Sequence, residues 1–372
     1  MMASILPFPP DEEREFHPEP VPYEENPDFN DSLDNSYKAI EIAGTSFPAS
    51  RVLHTMDPDA YRAALIDFRQ QQEDELKELV ISRFPTPIAN RFDKVENGCA
   101  RDSERLSVLK DVWESIIYVL YALVVGEFRC MAEPFSNAKL ILPSGSERLK
   151  FAQLFSDKLS DRIGITSGLL MFALEHSLDT VFTEIVSPDV LETIRILNQA
   201  RNGFAHDETK SEEQARDLYA TYYPEVLDVL GQLQGLADVK LLRYEGTVRT
   251  ALSVRFEEFV GHAMSRHYRT IQLTSAQHSK YALHLSTETV VAYYRDRIYG
   301  LSPFLYFVSR DGGHLTKLCF FKRREGAATS QIFFFSVVGE STNEKVSAMT
   351  FETESNALRD LVTPPQASRP EG

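Results

Sequence analysis

Apolar residues recur at helical spacing through the middle of the chain. After Asp102 and Ser103, the positions Leu106, Leu109, Trp113, Ile116, Ile117, Leu120, Leu123 and Val124 keep that period and predict one long, buried helix. A second helix is predicted from Ser146 through Leu149, Ala152, Phe155 and Leu159, and a third from Thr166 through Leu169, Phe172, Ala173, Leu178, Phe182 and Ile185. Ser187-Pro188-Asp189 reads as an N-cap, a proline at the first helical position and an acid in the first turn. The stripe Val190, Ile194, Leu197 and Ala200 belongs to the helix that follows. Ser211-Glu212-Glu213-Gln214 has the form of a capping box, because the serine accepts from the backbone three residues on and the glutamine reaches back. It opens a fifth helix with Ala215, Leu218, Tyr222, Val226, Val229 and Leu233 turned inward, which Pro224 should kink.

Past residue 240 the pattern shortens. The segments 268–273, 290–294, 301–309, 315–322 and 331–338 are rich in aromatic and β-branched residues and predict strands, with Asp311-Gly312-Gly313 as a hairpin turn. Five or six such strands make a small barrel or sandwich. An earlier stretch, 247–263, carries Val248, Leu252, Phe256, Phe259 and Val260 at helical spacing and predicts a helix. The runs Phe320-Phe321 and Phe333-Phe334-Phe335 break simple alternation and predict burial on both faces. The fold class is therefore α+β, a helical bundle followed by a small β-rich domain.

Candidate chemistry concentrates at the end of the fourth helix, in Gln199-Ala200-Arg201-Asn202-Gly203-Phe204-Ala205-His206. Arginine is a permanent, planar cation that binds phosphate, and histidine exchanges protons near neutrality, so the pair can cut a phosphodiester without a metal. On a straight helix Arg201 and His206 point about 140° apart. Gly203 lets the backbone leave helical geometry cheaply.

Arg201-Asn202-x-x-x-His206 between two amphipathic helices resembles the signature of HEPN domains, an Arg followed by a polar residue and then a His. The resemblance implies an all-helical bundle that commonly dimerises to build one metal-independent ribonuclease site, often in a toxin or a phage-defence effector. It implies Arg201, Asn202 and His206 as the catalytic set, RNA as substrate, a homodimer, and an antitoxin or sensor protein as a further partner. The other reading of the same resemblance is an inactive HEPN-like module whose β domain recruits a partner or nucleic acid.

Composition adds boundaries. Residues 1–36 hold ten acids against Arg14 alone and seven of the 19 prolines, which predicts an extended or disordered arm. A helical lead-in over 37–99 follows, then the bundle at 100–238. Residues 240–324 hold 14 Lys and Arg against six acids, so the β-rich domain at 239–350 is basic, and a polar tail is expected over 351–372. Lys317, Lys322, Arg323 and Arg324 are the RNA-binding candidates there. His262, His267, His278, His284 and His314 lack the tight spacing of a zinc site, so no metal is expected. Nor is there a glycine-rich phosphate loop or a serine nucleophile elbow, and no cofactor is expected. Three scattered cysteines make no disulfide framework. The nearly apolar run Ile116 to Val125 is too short to span a bilayer, and the N-terminus lacks a secretory pattern, so a cytoplasmic protein without membrane segments is expected.

Overall fold

The computed structural model describes residues 22–37, 40–42, 45–131, 135, 137–205, 211–248, 250–262, 267–281, 285, 289–310, 315–326, 331–340 and 342–363. His206, His284, His314, the Asp311-Gly312-Gly313 turn and the segments 1–21 and 364–372 lie outside the described residues. The fold is mixed α+β with antiparallel sheets, and the chain forms two units, Met1–Leu76 and Lys77–Gly372.

In the first unit, α1 (Pro27–Ser36) starts where Asn26 accepts from the backbone of Asp28 at 2.9 Å and Phe29 at 3.4 Å. The hairpin β1 (Ile40–Ile42) and β2 (Thr45–Phe47), then α2 (Ala49–Met56) and the beginning of α3 (Pro58–Arg83), complete it. Phe29, Leu33, Tyr61 and Leu65 bury one another as its core. Part of the acidic arm is thus helical rather than extended, because Phe29 and Leu33 give it an apolar face to bury.

The second unit is organised around α5 (Asp102–Met131), which packs against α4 (Thr86–Asp93), α6 (Leu159–Glu175) and α9 (Glu212–Gln232). From Ile116 to Phe128 it is buried on nearly every face, as expected of a helix with sheet on one side and helices on the other. The capping box at Ser211 and Gln214 is present, and α9 runs through Pro224. Between α5 and α6 the expected helix from Ser146 is replaced by the hairpin β3 (Lys139–Leu142) and β4 (Gly145–Arg148) and by a 3₁₀ helix, Phe151–Phe155. The three-residue spacing of Leu149, Ala152 and Phe155 suits 3₁₀ periodicity better than α. β3 crosses α6 so closely that a Cβ on Gly168 would stand 1.7 Å from the Lys139 carbonyl oxygen.

The third expected helix divides. After α6 the backbone turns at Ser177, whose φ is +50°, and α7 (Val181–Ile185) restarts under the Thr180 cap. Then α8 (Pro188–Ala205) begins where Ser187 Oγ accepts from the Val190 amide at 3.3 Å, and packs on α6 and α9.

β5 (Lys240–Val248), β6 (Thr250–Phe259) and β7 (His267–Gln272) come next, so the helix expected over 247–263 is a strand. Leu252, Val254 and Phe256 also satisfy a period of two, and pairing with β5 decides between the readings. That pairing sets Arg243 opposite Glu257, a buried ion pair at 2.9 Å that a helix would have separated. After α10 (Ser275–Tyr281), the strands β8 (Val290–Tyr294) and β9 (Arg297–Gly300) complete a five-stranded sheet of order β7-β6-β5-β8-β9. A four-stranded sheet of order β10-β11-β12-β13 is built from Leu305–Arg310, Leu315–Glu325, Ile332–Val337 and Asn343–Ser347. Burial on β12 alternates after all: Phe333 and Phe335 are buried, while Phe334 lies beneath the cations of Arg323 and Lys345. Phe320 and Phe321 are both buried because a register irregularity follows Phe321 and because Tyr118 of α5 covers Phe320.

The expected polar tail is instead α11 (Glu352–Val362) as far as residue 362, with Leu358, Leu361 and Val362 buried and the Leu361 carbonyl accepting from Phe135 at 3.0 Å.

Candidate functional site

Arg201 lies on the last turns of α8 and projects toward α5. Its guanidinium donates to Glu114, and the two side chains are 18% and 25% exposed. Glu114 is a charged residue inside the otherwise buried run Val112, Trp113, Ser115, Ile116 and Ile117. A carboxylate in such a stripe requires a partner, and this was the sequence signal for Glu114, although its partner, 87 residues away, could not be read from periodicity. Asn202 follows on the backbone of α8 with its side chain outside the described residues, as is the whole of His206. Of the three motif residues, Arg201 alone has a described side chain.

The surroundings of Arg201 are mostly apolar. Leu109 and Trp113 from α5, Leu197 from α8, and Tyr222 and Val226 from α9 enclose a small cavity at its side, about 20 Å³. That is room for one water and not for a nucleotide. Asn198, one turn earlier on α8, is 4% exposed, a buried amide in an otherwise apolar stripe. Tyr118, one turn beyond Glu114, has its phenol pushed above the ordinary tyrosine value, chiefly by burial and also by the Glu114 carboxylate, while Arg162 and Arg201 pull it down. It therefore remains a neutral hydrogen-bond donor at neutral pH.

Arg162 provides a second cation beside Tyr118, but of a different kind. It is 2% exposed, sits 4.4 Å over the Tyr118 ring and donates to the backbone carbonyls of Ser156 at 3.2 Å and Lys322 at 3.1 Å. This arginine ties α6 to β11.

The four basic candidates on β11 do not form one stripe. Lys317 is bridged by Glu340 and stands five residues from Lys322, about 16 Å along a strand. Arg323 pairs with Glu325 at 2.7 Å and covers Phe334, whereas Arg324 lies over Phe155 and donates to the Ala152 carbonyl at 3.3 Å. Lys322 sits at the register irregularity between Phe321 and Arg323 and is exposed.

Among the described residues no group of three or more His, Cys, Asp and Glu side chains is placed to hold a metal, and no helix is long and apolar enough to cross a membrane. Searches of family models, curated proteins and solved structures found no match to the chain.

Proposed function

We propose that the chain is a metal-independent endoribonuclease of the HEPN type, in which Arg201, Asn202 and His206 form the site of a toxin or phage-defence effector. The reading rests on one observation: the Arg201 side chain is anchored by Glu114 on a neighbouring helix, immediately before Asn202 and His206 in sequence. Arg201 binds the phosphate and stabilises charge developing on its oxygens. His206 acts as general base on the ribose 2′-hydroxyl or general acid on the leaving 5′-oxygen, and Asn202 orients the imidazole or holds the phosphate. The products are a 2′,3′-cyclic phosphate and a 5′-hydroxyl, and DNA is inert.

Glu114 is a positioning residue in this scheme: it aims the guanidinium and competes with phosphate for it. The small cavity beside Arg201, and the roughly 140° that ideal helix geometry would put between positions 201 and 206, favour a site shared by two protomers. Self-association is further supported by Met171, Leu174 and Ile196, apolar and exposed on the packed pair α6 and α8.

The test is cleavage of RNA by the purified protein in excess EDTA. Arg201→Ala lowers the rate by about 10²- to 10³-fold and His206→Ala by about 10²- to 10⁴-fold, with unchanged far-UV circular dichroism. A double variant that cuts at the wild-type rate would refute the assignment. Light scattering at active concentrations reads a dimer, and a monomer there removes the shared site. The neutralisation of Arg201 by Glu114 favours a second reading, a binding module; RNA bound without cleavage, and equal growth arrest by wild type and His206→Ala, would select it.

A further inference from the structure

A cleft of about 230 Å³ opens between α11, the end of β11, the start of β12 and the 3₁₀ helix Phe151–Phe155. One wall is aromatic. Phe155 packs 5.4 Å from both Phe151 and Phe333, and Phe151 is the most open of the three rings. Two guanidinium groups border that wall: Arg324, 5.3 Å over Phe155, and Arg359, 4.8 Å over Phe151. Their hydrogen bonds go to neutral oxygens, the Ala152 carbonyl for Arg324 and Asn356 Oδ1, at 3.1 Å, for Arg359. Neither has a carboxylate partner among the described residues. Burial pulls Arg324 below the ordinary arginine value.

The remaining lining is neutral and suited to edges rather than faces. Gln331 and Asn356 each carry an amide that presents a donor beside an acceptor, the arrangement that pairs with the edge of a nucleobase. The buried Ser355 hydroxyl oxygen has no hydrogen-bond partner among the described residues, and a polar group left this way is costly unless something completes it. Glu352 is the one acid in the lining; a carboxylate accepts from ribose hydroxyls. The volume falls just below the roughly 300 Å³ at which small-molecule pockets begin. It holds one base with its sugar while leaving the phosphate at the rim.

We propose that this cleft binds a single nucleoside monophosphate, with the base stacked on Phe151, the amides of Gln331 and Asn356 at its edge, and the phosphate held between Arg324 and Arg359. Stacking on an aromatic side chain and a charge-assisted fork each contribute substantially to such binding. The site uses elements other than α8 and does not depend on the ribonuclease reading.

Calorimetric titration of the full chain with AMP, GMP, CMP and UMP tests it. At least one binds with a Kd of about 1–100 µM, the matching nucleoside binds at least roughly tenfold more weakly, and inorganic phosphate alone more weakly still. Arg324→Gln and Arg359→Gln each weaken binding by roughly tenfold. Arg359 is exposed, so its variant keeps the test valid if the half-buried Arg324 proves necessary for folding. Three results would each overturn the proposal: no binding of any of the four up to about 1 mM, binding unaffected by the double arginine variant, or binding of an RNA oligomer with none of a mononucleotide.

Discussion

Glu114 and Glu127 lie on the same helix, α5, and solve the problem of a carboxylate in opposite ways. Glu127 is 4% exposed and accepts from the backbone amides of Val181 at 2.6 Å and Phe182 at 3.0 Å, the first donors of α7. Those amides have no partner inside their own helix, so the carboxylate serves as a cap delivered from another element. Glu114 remains partly in water and spends its charge on Arg201. The arginines repeat the contrast: Arg162 is satisfied by carbonyls and ring faces, Arg201 by an acid. A charge satisfied by backbone is committed to the fold. A charge satisfied by an opposite charge that still reaches water can be exchanged for a ligand, which is why the proposed chemistry is placed at the second pair and architecture at the first.

The sharpest way to break this contrast is to truncate the architectural members. Glu127→Ala leaves two buried amides without acceptors and costs about 1–3 kcal/mol for each; Arg162→Met strands two carbonyls at a similar cost. Denaturant unfolding measures both, and a loss below about 0.5 kcal/mol, the range of neutral surface changes, contradicts the structural role. The same assay on Glu114→Ala reads about 1–3 kcal/mol, because removing the acid leaves a mostly buried guanidinium without its charged partner. On the proposed ribonuclease reading its further consequence is kinetic: kcat of RNA cleavage falls because the guanidinium loses its aim, whereas Glu114→Gln keeps kcat and lowers KM because a neutral amide no longer competes with phosphate. Identical KM and kcat in all three proteins would remove Glu114 from the mechanism.

A smaller effect is expected with pH. Burial, the dominant influence, raises the Glu127 pKa above its ordinary 4.5, and the two amide bonds only partly oppose it. The folded state then holds this proton more tightly than the unfolded state, so the stability it contributes is complete below about pH 4.5 and declines as pH rises through the raised folded value. The stability difference between wild type and Glu127→Gln therefore shrinks or inverts as pH rises from 4 toward 8. A difference that is flat over that range contradicts the burial of the ionised group.

Much of the helical part was legible because its signals are local. Ser187-Pro188, the Ser211 capping box and the long stripe beginning at Leu106 depend on residues within a turn or two, and the observed α5, α8 and α9 start where those signals stand. Most strands after residue 267 were legible from their aromatic and β-branched content. Where two periods fit the same residues, local reading failed. Leu252 to Phe259 supports helix or strand, and partners in β5 and β7 chose the strand.

The motif Arg201-Asn202-x-x-x-His206 and the charge asymmetry of the chain are properties of the sequence itself. The sequence also set the caps and apolar stripes, because those interactions close over a few residues. What tertiary structure alone decided is which charges meet: Glu114 with Arg201, Glu127 with the start of α7, Arg162 with β11, and Arg324 and Arg359 at one cleft. These partners lie far apart in the chain. Their meeting depends on how α5 is enclosed, as at Gly126, where an added Cβ would stand 2.8 Å from the Gly300 carbonyl oxygen. Contacts of this kind carry no periodic signature, since the cost of closing a long loop is offset only by packing that exists once the whole core has formed.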